Sequence, residues 1–153
     1  MLDSYEINGM TLAVVPLTED KTIVYECENE YIINKSSFQI INESCNYFGS
    51  SYSGRFEGTK KLVGYNYKTP IIIEETNKII FFPTTSPRLN KCSWISLKNI
   101  KNHIKNGQQT LVTFKNNKEL TFDISFNSFE SQILRATKLW SVLEKNCQIL
   151  QKN

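Results

Sequence analysis

The chain has 153 residues, which suits one ordinary domain and leaves too little for two. Apolar residues make up 40% of it and aromatic residues 12%, so a wholly disordered chain is excluded. No apolar run approaches the ~20 residues of a membrane span, and the N-terminus lacks the basic and apolar regions of a signal peptide. The net charge of +3 does not by itself indicate a class of partner. The expected location is the cytoplasm.

The first quarter of the chain predicts antiparallel strands. Asn8-Gly9 is a strong hairpin signal, and it predicts that Ser4–Ile7 pairs with Thr11–Val15. The segments 22–27 and 31–34 alternate in the manner of two further short strands.

A helix is predicted from Ser36 onwards. Ser36 and Gln39 form a capping box, and Gly49 is the natural C-terminal stop. The apolar residues that recur at helical spacing between them are Phe38, Ile41, Cys45 and Phe48. The following segment, 49–55, is interpreted as a turn, which places Arg55 in a loop.

The middle of the chain predicts a buried hairpin and a basic loop. Residues 62–68 are expected to be extended, and the hairpin consists of 71–74 and 78–82, ended by Pro83. Thr84 to Ser93 is then an exposed basic loop that leads into a short strand at 94–96, with Trp94 in the core.

The next two elements differ in the spacing of their apolar residues, which is helical in the first and alternating in the second. Leu97–Lys105 is predicted as a short helix with its lysines outward. A hairpin of 111–115 and 119–124 has a three-residue loop, since pairing Phe114 with Leu120 and Val112 with Phe122 keeps the apolar side chains on one face.

The last element is a long amphipathic helix with Asn127 as its N-cap. Its apolar stripe consists of Phe129, Ile133, Ala136, Trp140, Leu143, Cys147 and Leu150. The stripe is expected to pack across the sheet; the sharper interpretation makes Trp140, Leu143 and Leu150 part of an oligomer interface. The fold class is therefore α+β, one domain over 1–153, with an early inserted helix and a long C-terminal helix on mainly antiparallel strands.

Metal and enzyme chemistry find little support. The four cysteines at 27, 45, 92 and 147 form no close pair, and the chain has one histidine, His103, so a zinc finger is excluded. Cys92 and His103 are formally a nucleophile and a base, but nothing marks a third group that would orient them. We expect reduced thiols, no cofactor and no catalytic residues.

The charge is divided unevenly along the chain. Residues 1–57 carry three basic and nine acidic side chains, whereas residues 58–153 carry fifteen basic and six acidic ones. Such asymmetry points to a polyanionic partner. An A/T-rich genome also raises the lysine content, but it does not explain why residues 78–118 contain eight basic residues and no acid.

Several motifs, in order along residues 4–136, resemble the ComK family of competence transcription factors. They are the segments 4–9, 45–55 with Gly58-Thr59, 70–72, 81–84, Arg88 with 92–96, and 125–130. The resemblance implies an activator of DNA-uptake genes that binds paired A-tract and T-tract boxes through the minor groove as a dimer or higher oligomer, at the nucleoid. RNA polymerase is a further candidate partner. Familiar members continue past this final helix with a segment tied to a Clp protease adaptor, so adaptor control is not carried over to a chain that stops at Asn153.

The candidate interface follows from the chemistry of A/T-rich DNA. A narrow A-tract minor groove is strongly negative and offers only acceptors. Arg88, with Asn90 and Lys91, is predicted to enter this groove. The residues expected to hold phosphates are Arg55, Lys60, Lys61, Lys98, Lys101 and Lys105.

Two other interpretations stay open. The strands, basic face and closing helix also suit a non-enzymatic, pleckstrin-like interaction module. The other interpretation is a short DNA-binding homologue that does not activate transcription and competes with a full-length activator.

Overall fold

Nine strands, three α-helices and one 3-10 turn (Leu97–Asn99) make up the part of the chain that the structure describes. The structure is a computed structural model that describes the backbone of residues 1–152 and the side chains of residues 1–149. The helices are α1 (Ser37–Tyr47), α2 (Tyr52–Val63) and α3 (Phe126–Lys152). The strands are β1 (Thr11–Pro16), β2 (Thr22–Glu26), β3 (Glu30–Ile33), β4 (Ile71–Glu74), β5 (Ile79–Pro83), β6 (Trp94–Ser96), β7 (Ile100–Asn106), β8 (Gln109–Phe114) and β9 (Glu119–Phe122).

The central sheet joins two antiparallel meanders. Its strand order is β3-β2-β1-β6-β5-β4, so β1 and β6 form the seam, where Ala13 faces Ile95 and Val14 faces Trp94. A second sheet, in the order β7-β8-β9, follows it in sequence. All these strand pairs are antiparallel, which confirms the α+β class.

Each face of the central sheet is covered by different elements. On one face α1 and the start of α2 bury a cluster that includes Val14, Ile41 and the fully buried Trp94. On the other face the second sheet and α3 bury a cluster that includes Phe82 and Phe129. Because one sheet supplies both clusters, the structure is a single domain with α3 packed on it, as expected.

Strong local signals predicted α1 correctly. The Ser36 side chain accepts a hydrogen bond from the Gln39 amide, and the Gln39 side chain accepts one from the Ser36 amide. Gly49 follows the helix with a φ of 85°, a conformation that suits glycine. Phe38, placed on the apolar face by its spacing, is 39% exposed, however.

The N-terminal hairpin prediction was wrong in its first strand. Asn8 does form the turn that leads into β1, but residues 4–7 belong to no strand. The Ile7 amide donates to Ser44 Oγ at 3.0 Å, and β1 is already paired with β2 and β6. The segment therefore packs against α1 instead of extending the sheet.

Helix α2 was missed. Ser51 caps it by accepting a hydrogen bond from the Gly54 amide at 3.0 Å, and Gly64 ends it with a φ of 81°. Gly54 and Gly58 lower the helix propensity of this segment, which concealed it. Arg55 consequently lies on a helix, and only the latter part of 62–68 is non-helical.

The helix predicted over Leu97–Lys105 is a 3-10 turn followed by the strand β7. Pairing with β8 decides the outcome, since His103 lies opposite Val112 and Ile104 opposite Leu111. Ile104, which the predicted helix would have buried, is 52% exposed. Because the segment is a strand, its lysines do not share an outer helical face.

The β8–β9 hairpin has the predicted loop length but a different register. Val112 pairs with Leu120, and the Phe114 amide donates to the Lys118 carbonyl across a three-residue loop. Asn117 adopts a φ of 69° there. The shift is two residues, which leaves the apolar side chains on the same face.

Helix α3 starts earlier and is buried over a shorter stretch than expected. Ser125 Oγ, not Asn127, accepts the capping bond from the Ser128 amide at 3.2 Å. Phe129, Ala136 and Leu143 of the stripe are buried and Ile133 and Trp140 are half-buried, whereas Cys147 is exposed. The Leu150 side chain lies outside the described residues.

Candidate nucleic-acid interface

The loop between β5 and β6, residues 84–93, is closed at its base and exposed at its tip. The Thr84 amide donates to the Ser93 carbonyl at 2.9 Å, and the Ser93 amide donates to Thr84 Oγ1 at 3.1 Å. Ser37 Oγ on α1 donates to the Cys92 carbonyl at 2.9 Å. These bonds hold the Arg88 loop, as residues 84–93 are called below, to the end of the sheet.

The tip of the Arg88 loop presents three polar side chains to solvent. Arg88, Asn90 and Lys91 are exposed, and neither basic residue forms a salt bridge with a described residue. The loop was therefore correctly predicted to be exposed and basic. Its side chains are free to meet an external acceptor.

The two sides of the Arg88 loop differ in charge. On one side Arg88 and Lys68 line the same cleft. On the other side Asn90 and Lys91 line a smaller cleft with Glu19 of the β1–β2 turn. An anionic partner is favoured on the Lys68 side.

Further basic side chains lie on two tyrosine rings next to Lys68. Arg135 Nη1 donates to the Tyr67 carbonyl at 2.6 Å, and its guanidinium carbon lies 4.9 Å from the centre of the Tyr65 ring. Lys138 Nζ lies 5.9 Å from the same ring, and Lys68 Nζ lies 5.3 Å from the Tyr67 ring. Such cation–π contacts hold a charge over a ring and still leave it accessible.

Lys68, Arg135 and Lys138 together form what is called the basic band, which lies next to Arg88. None of these four residues forms a salt bridge with a described residue. Sequence reasoning did not include Lys68, Arg135 or Lys138 in the candidate interface. The alternation of aromatic and basic residues at Tyr65, Tyr67 and Lys68 was the sequence pattern that could have indicated this part of the surface. Lys60 and Lys61 lie in the last turn of α2, shortly before Tyr65, and both are exposed.

Three of the predicted phosphate contacts lie elsewhere. The Arg88 loop precedes β6 and Lys98 follows it, so the two lie at opposite ends of that strand. Lys101 Nζ donates to Asn117 Oδ1 at 2.9 Å in the β8–β9 loop, and Lys105 lines a cleft with Phe126 at the start of α3. The structure does not bring these lysines next to Arg88.

Arg55 forms a salt bridge within the protein. Its Nη1 lies 2.8 Å from Glu75 Oε1, and the side chain is 15% exposed. The bond ties α2 to the turn between β4 and β5. The charge of Arg55 is balanced locally, unlike that of Arg88.

Cys92 and His103, the formal nucleophile and base, have separate hydrogen-bond partners. Burial raises the pKa of Cys92 to about 11, and its Sγ donates to the Thr85 carbonyl. His103 Nε2 lies 2.9 Å from Glu130 Oε1, on a strand and not on the polar helix expected for it. Within the described residues no group of three metal-binding side chains comes together, and no helix is apolar enough over a sufficient length to cross a bilayer.

The residues predicted for an oligomer interface differ in exposure. Leu143 is 8% exposed and belongs to the core of its own chain. Trp140 is half-buried, with Lys78 Nζ 5.8 Å from its ring centre.

A basic band on tyrosine rings lies beside an exposed loop with basic side chains, and such a surface is suited to an anionic partner. The comparisons then identify the lineage: the chain belongs to the ComK protein family, whose model matches residues 2–148. It is 39% identical over 142 residues to the competence transcription factor of Bacillus subtilis (strain 168), which covers 90% of this chain and 74% of that relative. No solved structure gave a significant match. This kinship confirms the resemblance seen in the motifs and supports a transcription-factor role, and it removes the reason to prefer an interaction module.

Proposed function

We propose that this protein is a DNA-binding transcription factor that activates competence genes by binding A/T-rich duplex DNA through the minor groove. One observation carries the proposal: the unpaired Arg88 side chain at the tip of a firmly closed loop, continuous with the basic band. The cytoplasm, at the nucleoid, is the corresponding location.

The donors at the loop tip match the minor groove of A/T-rich DNA. Its floor presents adenine N3 and thymine O2, both acceptors, and its narrow width concentrates negative potential that attracts arginine. Arg88 would insert there while Asn90 bonds to a base edge or sugar. The closed base of the loop limits the entropy lost on binding.

The basic band would hold the phosphates that flank the groove. Lys68, Arg135 and Lys138 lie on the side of the loop away from Glu19, and Lys60 and Lys61 extend the same region. Each phosphate neutralised releases counterions, which makes binding depend on salt. Lys98 lies at the other end of β6, Lys101 beside the β8–β9 loop and Lys105 beside the start of α3. These three lysines would mainly add non-specific attraction. Arg55 would act structurally, because Glu75 already balances its charge.

Reading paired boxes requires two Arg88 loops, so a dimer or higher oligomer is part of the proposal. With Leu143 covered by its own core, Trp140 is the described side chain of the predicted interface that a second subunit could still contact. RNA polymerase and a Clp adaptor remain partners implied by the family alone.

The first test compares Arg88→Ala with Lys101→Ala on an A/T-box duplex and a G/C duplex. Arg88→Ala should weaken A/T binding by roughly tenfold and flatten the preference, since a base contact is worth about 1–3 kcal/mol. Lys101→Ala should weaken both duplexes equally and leave the preference intact. Fluorescence anisotropy at two salt concentrations measures both effects.

Both variants change exposed side chains, so thermal melting should match the parent chain and serves as the folding control. An unchanged preference in Arg88→Ala would show that the loop does not read bases. Footprinting with a minor-groove competitor drug checks the groove: protection that survives the drug contradicts minor-groove binding.

A further inference from the structure

A cleft of about 750 Å³ opens beside the Arg88 loop. Its walls come from the first residues of α1 and α2, from the segment 66–68 and from the loop itself. This volume lies within the range of small-molecule sites. Among the described residues that line it there is no aspartate or glutamate.

Aromatic rings form two sides of the cleft. Phe38 of α1 and Tyr52 of α2 meet edge to face with 4.9 Å between ring centres, and Phe56 lies 6.2 Å from Tyr52 in a stacked orientation. Tyr67 comes from the opposite segment. Phe38 and Tyr67 are 39% and 59% exposed, so each ring keeps surface that a planar group can contact. Proteins use such rings to stack nucleobases.

Positive charge comes from two separate elements. Lys68 follows Tyr67, and Arg88 approaches from the loop. Neither forms a salt bridge with a described residue. A ligand that satisfies both features combines a planar ring with an anionic group.

We propose that this cleft binds a nucleoside phosphate, with its base against Phe38 and Tyr67 and its phosphates between Lys68 and Arg88. The proposal goes beyond the proposed function, because the cleft is a separate site whose ligand also uses Arg88. A ligand that occupies Arg88 competes with duplex DNA, and the coupling is reciprocal by linkage. The nucleoside phosphate has two sources: a free nucleotide or an unpaired nucleotide of a single strand.

Isothermal titration calorimetry with four probes tests the chemistry. The probes are ATP, tripolyphosphate, adenosine and a single-stranded oligo(dA). ATP should bind at least about tenfold tighter than tripolyphosphate or adenosine, because a stacked base and a paired phosphate each contribute. Binding of oligo(dA) without ATP binding assigns the site to a strand. Equal affinity for tripolyphosphate and ATP, or no binding of ATP and oligo(dA), overturns the proposal.

Three matched aromatic variants locate the site. Phe38→Ala and Tyr67→Ala should each weaken binding of the preferred probe by about tenfold. Tyr47→Ala, on the far end of α1 and 67% exposed, should leave it unchanged. No effect of Phe38→Ala and Tyr67→Ala, or an equal effect of Tyr47→Ala, overturns the proposal.

The experiments distinguish failure of the duplex-DNA proposal from failure of the nucleoside-phosphate proposal. The aromatic variants retain Arg88 and should keep their A/T preference on duplex DNA. Loss of that preference only in Arg88→Ala supports DNA binding, whatever the calorimetry shows. The coupling itself is tested by competition: ATP should lower duplex affinity in the parent chain, and about tenfold more ATP should be needed for the same effect in Phe38→Ala. Equal competition in both would overturn the assignment to this cleft.

Discussion

The four thiols differ because the fold places them at different depths. Cys45 and Cys92 are almost fully buried, and this burial raises the pKa of each to about 11. Cys147 is exposed near the end of α3, and Cys27 is intermediate. Since the thiolate is the reactive form, a raised pKa makes a thiol inert at neutral pH.

Thiol labelling should separate these classes. With a chromogenic disulfide reagent at pH 8, Cys147 should react first, and Cys45 and Cys92 should react only after unfolding. Cys147→Ser should remove the fast phase and provides the control. Fast labelling of Cys92 in the folded protein would contradict the packing of the Arg88 loop on α1. The measurement is the absorbance of the released thiolate over time, with and without denaturant.

At the scale of elements, one glutamine connects α3 to the binding surface. Gln132 is 4% exposed, and its Nε2 donates to the Lys68 carbonyl at 3.0 Å and to the Pro83 carbonyl at 2.8 Å. Lys68 belongs to the basic band, and Pro83 ends β5 next to the Arg88 loop. The side chain therefore fixes the distance between the two parts of the proposed interface.

Gln132→Ala should lower the free energy of unfolding by about 2–6 kcal/mol, because it leaves two carbonyls without their donor at about 1–3 kcal/mol each. Urea denaturation measures the change as a lower midpoint with an unchanged slope. Ser131→Ala, next to it and exposed, should change stability by less than about 0.5 kcal/mol. Equal midpoints for the two variants would show that Gln132 does not hold α3 in place.

At the scale of the whole molecule, charge is sorted by structure as well as by sequence. The acidic first part of the chain forms β1–β3 and α1, including the β1–β2 turn with Glu19. The basic band lies on α3 and the segment 65–68, on the other side of the Arg88 loop. If the Arg88 loop binds duplex DNA as proposed, we expect the duplex to be attracted on one side and repelled on the other, which would set its orientation.

The salt dependence of duplex binding measures this sorting. The double variant Lys68→Gln/Lys138→Gln should reduce the slope of log K against log salt by about two, since each phosphate contact contributes roughly 0.9. The control Lys101→Gln/Lys115→Gln removes the same charge at the other end of β6. An equal reduction in both double variants would replace the basic band with a diffuse positive surface. Anisotropy titrations at four salt concentrations give both slopes.

Local signals accounted for much of the fold. The capping box of Ser36 and Gln39 and the period-2 pattern of the β8–β9 hairpin each depend on residues close in sequence. Period alone could not decide the segment 97–105, because its apolar spacing suits a helix, while the pairing with β8 is a contact to another segment. In α2, two glycines masked a helix whose cap and stop are clear only in the structure.

The site was predictable where it depends on exposure and unpredictable where it depends on neighbours. Arg55 and Arg88 both looked like free arginines, but Glu75, distant in sequence, pairs with Arg55 alone. Lys68 and Arg135 were overlooked because only the fold brings them to Arg88 and Tyr67. Sequence reasoning can identify a loop with donors, whereas the surface around it is set by long-range packing.

The seam between β1 and β6 has a consequence for the order of events during synthesis. β1 can pair with β2 at once, but its other neighbour, Trp94–Ser96, leaves the ribosome much later. Until then the nascent chain carries an open strand edge and apolar residues such as Val14 without their cover, a condition that favours aggregation. The nine acidic side chains among the first 57 residues oppose such aggregation through mutual repulsion. We expect this charge to keep the incomplete sheet soluble until β6 pairs with β1.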